Sequence, residues 1–136
     1  MNAIARNVLV ELSVQQLIDC DKSNFGCDGG LIDYAFDYII KSGGVETEAD
    51  YPYQGQPSVY GCEVSDKKKK YGLEKYTRIP KGGGEEEMKK WVAQHGPLSV
   101  GINANGIFFY TGGIIDLNKV SCNPKNQNHA LIVVGY

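Results

Sequence analysis

One histidine of this chain stands where a general base could work. His129 opens the aliphatic run 130–134, which closes at Gly135. Imidazole titrates near neutral pH, so a histidine held on a rigid support can take up and return a proton during a reaction. A lone histidine is more often a solvated or core-edge residue. The remainder of the chain must therefore decide between a catalytic and a structural role.

The elements around His129 are predicted to be a helix followed by two strands. Ile132, Val133 and Val134 are β-branched, which predicts a strand, and the unbroken apolar run predicts burial on both of its faces. A second strand is predicted from Leu98 to Ile102. The helix before it is predicted over residues 85–95, with acids in its first turn and Gly96-Pro97 as its stop.

The first half of the chain is predicted to be helical, with a loop in between. Ser13 is a predicted N-cap, and Gln16 completes a capping box at the start of a helix from Val14 to about Cys20. Residues 19–30 are rich in Asp, Asn and Gly, which is typical of a loop. A second helix is predicted between Gly29-Gly30 and Gly43-Gly44, with an apolar stripe facing the core. Residues 71–79 alternate loosely, as a half-exposed strand would.

Composition excludes several classes of function. The chain has 136 residues and a net charge of -2, which gives no indication of nucleic acid as a partner. No apolar run is long enough to cross a bilayer. The loop 19–30 is not a calcium loop, because Asn24 and Gly30 occupy the positions that require glycine and glutamate. The four cysteines are widely spaced, which favours disulfides over a zinc site and indicates an oxidising compartment. We expect no metal and no cofactor.

Four ordered stretches resemble the papain-like cysteine peptidases, nearest to the cathepsin F and L types. The most specific is Leu12-Ser13-x-Gln15-x-Leu17-x-Asp19-Cys20 with Gly26-Cys27-Asp28-Gly29-Gly30 behind it. The others are Asp50-Tyr51-Pro52-Tyr53, Gly96-Pro97-Leu98-Ser99-Val100, and Asn128-His129-Ala130 with Val134-Gly135-Tyr136. Together they span nearly the whole chain.

The resemblance implies an incomplete α+β fold of two lobes with a substrate cleft between them. A helical lobe would comprise residues 1–79 and a β-rich lobe residues 80–136, with Pro80 and Gly82-Gly83-Gly84 at the boundary. His129 matches the catalytic base. The nucleophilic cysteine of the family lies roughly 130 to 150 residues before the histidine, so it is expected ahead of Met1. The asparagine that orients the histidine is expected beyond Tyr136.

The resemblance also implies substrate contacts and disulfide partners. The backbone of Gly29 and Gly30 would pair with an extended peptide, and the backbone of Asn128 would contact the substrate beside the histidine. The walls of the pocket for the second residue before the cleaved bond would be Leu31, Ile32, Gly101 and Ala130. Cys20 would pair with Cys62, which closes a loop worth roughly 4 kcal/mol in the chain-entropy model. The partners of Cys27 and Cys122 would lie outside the chain, so both are expected to be free.

By resemblance, the family function is that of a cysteine endopeptidase of lysosomal or extracellular location. Its expected partners are protein or peptide substrates and cystatin-like inhibitors, with neither nucleic acid nor membrane, and the expected state is a monomer. The chain alone is expected to be inactive, because none of its cysteines lies in a Cys-Gly-Ser-Cys-Trp context. The alternative is a non-catalytic, papain-like protein or truncated product that binds peptides or peptidase inhibitors.

Overall fold

The computed structural model describes residues 2–68, 70–80, 84–116 and 122–136. The chain divides into two compact units, Met1–Arg78 and Ile79–Tyr136. The division falls one residue before the predicted lobe boundary, and the identity of the units as a helical and a β-rich lobe stays a prediction. Of the residues predicted to mark that boundary, Gly82 and Gly83 lie outside the described residues, and Gly84 begins a helix.

The described residues of the first unit form three α-helices and a short 3-10 helix. They are α1 (Asn2–Arg6), α2 (Val14–Cys20), the 3-10 helix Gly26–Asp28 and α3 (Ile32–Lys41). Asn7 follows α1 with a φ of 51°, the left-handed conformation in which asparagine often ends a helix. The predicted bounds of α2 are confirmed.

The N-cap of α2 links the helix to a distant part of the chain. Ser13 Oγ accepts a hydrogen bond from the backbone N–H of Gln16 at 2.9 Å and donates to the carbonyl of Tyr51 at 2.6 Å. The predicted return bond of the capping box is wrong. Gln16 Oε1 instead accepts from the N–H of Glu46, while the N–H of Ser13 donates to the carbonyl of Glu46. The start of α2 is thus fixed to residues 46–51 by main-chain and side-chain bonds.

The centre of the first unit is unusually polar. Gln15, Gln16 and Glu46 are completely buried, and Asp19 is 3% exposed. Buried polar groups are stable only when they are hydrogen-bonded. The Asp19 carboxylate accepts bonds from Gln15 Nε2 at 3.1 Å, from the N–H of Ser58 at 2.8 Å and from Tyr51 Oη at 3.0 Å. Burial raises the pKa of Tyr51, and the Asp19 carboxylate raises it further.

The predicted disulfide between Cys20 and Cys62 is confirmed. Its Cα atoms are 4.8 Å apart, and it joins Cys20, the last residue of α2, to Cys62. The loop before Cys62 is also bound to α2 by the hydrogen bond from the N–H of Ser58 to Asp19. Covalent and hydrogen bonds therefore fix residues 46–62 to the same helix.

Two further predictions for the first unit are wrong. Tyr71 makes one isolated antiparallel bridge with Val45, and residues 72–80 form no strand. The backbones of Gly44 and Tyr71 lie close together, since a Cβ on Gly44 would be 2.8 Å from the carbonyl carbon of Tyr71. The predicted core stripe is also only partly buried: Leu31 and Tyr34 are 57% and 45% exposed, and its other members are half-buried, namely Ala35, Tyr38 and Ile39.

The second unit contains a helix and a two-stranded antiparallel sheet. Its elements are α4 (Gly84–His95), β1 (Leu98–Ile102), the 3-10 helix Asn105–Ile107 and β2 (His129–Val133). The two strands and the helix lie where they were predicted, and the α+β class is confirmed.

Burial of β2 on both faces is contradicted by the structure. Ile132 is 61% exposed, while Leu131 and Val133 are half-buried. Burial alternates along β2 because successive residues face opposite sides of the two-stranded sheet that the described residues form. Lys89 lies 5.1 Å from the ring centre of Tyr136, which links the segment after β2 to α4. Among the described residues, no helix has both the length and the apolar character that a bilayer span requires.

Candidate functional site

His129 is the first residue of β2, and it is exposed. Its backbone lies opposite Ile102 in the antiparallel register. Within the described ranges, its imidazole makes no hydrogen bond, so both ring nitrogens are available to a substrate or a nucleophile. The strand supplies the rigid support that a general base requires.

Asn128 fixes the backbone that leads into His129. Its Oδ1 accepts from the N–H of Ala104 at 2.8 Å, and its Nδ2 donates to Asn105 Oδ1 at 2.6 Å. Its backbone N–H donates to the carbonyl of Ile102 at 2.9 Å. This anchoring by the Asn128 side chain was not predicted, because the partner turn lies more than twenty residues earlier in the chain. The predicted contact of the Asn128 backbone with substrate remains a prediction.

Gly101 and Ala130, two of the predicted pocket walls, are opposite each other in the sheet. Successive residues of a strand face opposite sides, so these two share one face and His129 with Ile102 the other. A Cβ on Gly101 would lie 2.7 Å from Gln127 Oε1, so the end of the Gln127 side chain covers this glycine. Gln127 was not singled out from the sequence, and its flexible end can shift.

The other four predicted contact residues line one groove of the first unit. Gly29, Gly30, Leu31 and Ile32 border a groove of about 260 Å³, whose opposite wall is formed by α2 residues including Val14, Leu17 and Ile18. The groove is lined mainly by apolar side chains, which is the environment that an apolar ligand group prefers.

Gly29 and Gly30 differ in what surrounds them. Gly29 has a φ of 99°, and a Cβ there would meet nothing within 4 Å, so one side of its backbone is open. A Cβ on Gly30 would lie 2.1 Å from Asn24 Oδ1, so the neighbouring side chain already fills that space. From the sequence, both glycines are expected to admit the backbone of a peptide. For Gly30 the structure supplies an internal reason.

The predicted site residues therefore form two groups, one in each unit. The structure brings together Gly29 to Ile32 in the first unit, and Gly101 with residues 128–130 in the second. Cys27 and Cys122 are exposed free thiols. In the part of the chain that the structure describes, no three His, Cys, Asp or Glu residues are close enough to hold a metal ion.

Known proteins resemble the whole of this chain in sequence. The model of the papain family cysteine protease matches residues 1–136. Cathepsin F of Drosophila melanogaster is 39% identical over 134 residues, covering 98% of this chain and 21% of the relative. Cysteine proteinase RD21A of Arabidopsis thaliana is 43% identical over 140 residues, covering 100% of this chain and 29% of the relative.

Solved structures agree with these sequence matches. Digestive procathepsin L 3 from the larval midgut of Tenebrio molitor superimposes with a TM-score of 0.86 at 38% identity, covering 98% of this chain and 43% of that one. Digestive procathepsin L2 proteinase from the same tissue gives a TM-score of 0.88 at 31% identity, covering 98% and 42%. This chain thus spans less than half the length of the relatives it matches. Its sequence and its fold together show that it belongs to the papain family of cysteine proteases.

Proposed function

We propose that this chain forms the base-bearing and substrate-binding part of a cysteine endopeptidase domain. One observation carries the proposal: His129 is exposed at the first residue of β2, beside an Asn128 whose side chain and N–H fix the backbone. A general base must combine accessibility with a fixed position. The match of the chain to the papain family gives this arrangement its chemical context.

In the proposed reaction, the imidazole of His129 takes the proton of a cysteine thiol, and the thiolate attacks the carbonyl carbon of the scissile peptide bond. The imidazolium then gives its proton to the leaving amine as the carbon–nitrogen bond breaks. Water hydrolyses the resulting thioester, with His129 as base, and restores the thiol. We infer that the nucleophile is supplied by residues outside this sequence, because Cys20 and Cys62 are joined and Cys27 and Cys122 lack the expected surroundings.

Substrate binding is proposed for the two groups of residues described above. Gly29 leaves open space for an extended peptide, while its own N–H and carbonyl are bonded within the loop to Gly26 and Phe25. Gly30 is therefore proposed to pair with the peptide backbone. Leu31 and Ile32 border an apolar groove, and Gly101 with Ala130 add a small-residue surface in the sheet. A large apolar side chain at the second residue before the cleaved bond would suit these walls.

Partners and location follow from the same proposal. Protein or peptide substrates and cystatin-like inhibitors are the proposed partners of a monomeric domain. The Cys20–Cys62 disulfide supports a lysosomal or extracellular location, since disulfides persist in oxidising compartments.

The experiment uses a chimera, in which this chain replaces the matching residues of the Tenebrio molitor procathepsin L 3. An apolar-aromatic-Arg fluorogenic peptide reports turnover after activation. His129→Gln should lower kcat/KM by about 10³-fold, the size of a lost general base. His95→Gln is the matched control, because His95 is the other histidine and is exposed at the end of α4, where its ring contacts Trp91 at a tilt of 45°. It should stay within about twofold of the parent, consistent with a surface substitution. Equal losses in both variants would contradict the role of His129.

A non-catalytic protein that binds peptides or inhibitors is the alternative. The refolded chain alone tests whether a nucleophile lies within this sequence. We expect it to show no turnover of the same peptide, because an imidazole without a nucleophile loses the covalent route. Turnover that a thiol-directed epoxide blocks would show that the chain carries its own nucleophile.

A further inference from the structure

Asn24 holds both backbone groups of Leu31 with one side-chain amide. Its Oδ1 accepts from the N–H of Leu31 at 2.7 Å, and its Nδ2 donates to the carbonyl of Leu31 at 3.2 Å. A neighbouring β-strand would bind these two groups in the same way. The amide therefore acts as a one-residue strand against the end of the segment Gly29–Gly30–Leu31, here called the glycine edge.

Asp21 fixes the orientation of the Asn24 amide. Asp21 is 3% exposed and caps α2, with its N–H bonded to the carbonyl of Leu17. Its Oδ2 accepts from Asn24 Nδ2 at 2.7 Å, while its Oδ1 accepts from the N–H of Ser23. An ionised carboxylate only accepts hydrogen bonds, so the NH₂ group must face Asp21 and Oδ1 must face Leu31. A chain of bonds thus runs from the end of α2 to the glycine edge.

Asn24 also explains why residue 30 is glycine. A Cβ on Gly30 would lie 2.1 Å from Asn24 Oδ1 and 2.4 Å from its Cγ, whereas a Cβ on Gly29 would be in open space. Such distances are far below van der Waals contact, so either the amide or the backbone would have to move. The φ of Gly30 lies outside the left-handed region, so alanine is excluded by Asn24 and not by backbone strain.

We propose that Asn24 is a positioning residue for substrate, since it sets the conformation of the glycine edge that receives the peptide backbone. The proposal rests on the proposed function, in which an extended peptide lies along Gly29 and Gly30. Asn24 lines the same groove as Leu31 and Ile32. Its effect passes through Leu31, whose backbone it binds and whose side chain borders the groove.

The test uses the full 136-residue chain, isotope-labelled and refolded with its disulfide intact. Asn24→Ala removes every side-chain bond to Leu31. Ser23→Ala is the matched control, because its exposed hydroxyl makes no hydrogen bond with the described residues. Amide exchange of Leu31 should accelerate about tenfold or more in Asn24→Ala, as expected for the loss of one hydrogen bond worth about 1.4 kcal/mol, and should not change in Ser23→Ala. Unchanged exchange of Leu31 in Asn24→Ala would overturn the proposal.

A double-mutant cycle tests the packing of Asn24 against Gly30. Gly30→Ala should lower the free energy of unfolding strongly in the parent chain and much less in the Asn24→Ala background, because the side chain that excludes the Cβ is gone. Strictly additive effects would contradict the geometry described here.

Peptide binding gives the functional outcome. Backbone amide shifts of Gly29 and Gly30 would be followed during titration with acetyl-Ala-Leu-Arg-Ala-amide. The Kd should rise about tenfold in Asn24→Ala and remain unchanged in Ser23→Ala. Equal Kd values for the parent and Asn24→Ala would refute the positioning role while the proposed function stood. Absence of binding by the parent chain would instead refute the substrate edge itself, and this inference would fall with it.

Discussion

Replacing Asp19 with alanine should loosen the attachment of residues 51–62 to α2. The carboxylate is 3% exposed and binds two donors from that segment, the N–H of Ser58 at 2.8 Å and the hydroxyl of Tyr51 at 3.0 Å. The third donor, Gln15 Nε2, also donates to the carbonyl of Gln56 at 2.8 Å, so it keeps a partner in the variant. Two donors therefore lose their acceptor.

The expected loss follows from those two donors. A buried donor without a partner costs about 1 to 3 kcal/mol. Ser58 is only half-buried, so water can reach its N–H and its contribution lies at the low end. Tyr51 is 5% exposed, and its other acceptor, the carbonyl of Gly61, is at 3.5 Å, too far for a good bond. We expect Asp19→Ala to lower the free energy of unfolding by about 2 to 4 kcal/mol.

Urea unfolding with the disulfide intact measures this change, and amide exchange at Ser58 locates it. Asp28→Ala is the matched control, because Asp28 is exposed and its carboxylate makes no hydrogen bond with the described residues. It should change the free energy of unfolding by less than about 0.5 kcal/mol. Equal effects of the two substitutions, or unchanged exchange at Ser58, would refute the view that buried polar bonds hold this unit together.

Three further predictions concern the pocket, the pH response and the cysteines. Ile32→Glu in the chimera should lower kcat/KM mainly for peptides with a large apolar second residue, because a charge would face that side chain; an equal loss for all peptides would count against the pocket assignment. Burial raises the pKa of Tyr51, so the folded state keeps this proton more tightly than the unfolded one. Its contribution to stability is then complete below about pH 10 and lost as the pH rises through the folded pKa. The free energy of unfolding should therefore fall more steeply above pH 10 in the parent chain than in Tyr51→Phe, and parallel curves would contradict this. Peptide mapping after alkylation should recover Cys27 and Cys122 in alkylated form, whereas a dominant bond between them would contradict the expectation that both thiols are free.

Local sequence signals predicted the helices and strands that depend on neighbouring residues. Ser13 caps α2 because its hydroxyl reaches an N–H three residues on, and this pattern is visible in the sequence alone. Gly96 and Pro97 likewise indicated the junction between α4 and β1.

The wrong predictions share a physical cause, which is that partners distant in sequence decide the outcome. Gln16 bonds to Glu46, thirty residues away, in place of the local capping partner. The segment 71–79 has the alternation of a strand, but a strand needs a neighbour, and only Tyr71 finds one, at Val45. The sequence predicts that Ile132 is buried, yet its side chain is 61% exposed.

For the site, the sequence motifs indicated His129 and the glycine pair, but they did not predict the residues that support them. Asn24 and the side chain of Asn128 make hydrogen bonds to the backbone of loops, and loops have no periodic sequence pattern from which such a role could be predicted. Polar residues in loops are usually solvated, so their types alone do not predict that they fix a neighbouring backbone.

The most direct test of the role of His129 is the ionisation of the nucleophilic cysteine in the chimera. The rate of its alkylation by iodoacetamide would be measured from pH 4 to 10 in the parent chimera and in His129→Gln, since only the thiolate reacts. A thiol paired with an imidazolium reacts already at acidic pH, with a pKa of about 3 to 4, whereas an unpaired thiol has a pKa of about 8.5. We expect the alkylation profile of the parent to rise at acidic pH, and that of His129→Gln to rise only near the pKa of a free thiol. Coincident profiles would show that His129 does not pair with the nucleophile, and would contradict its assignment as the base.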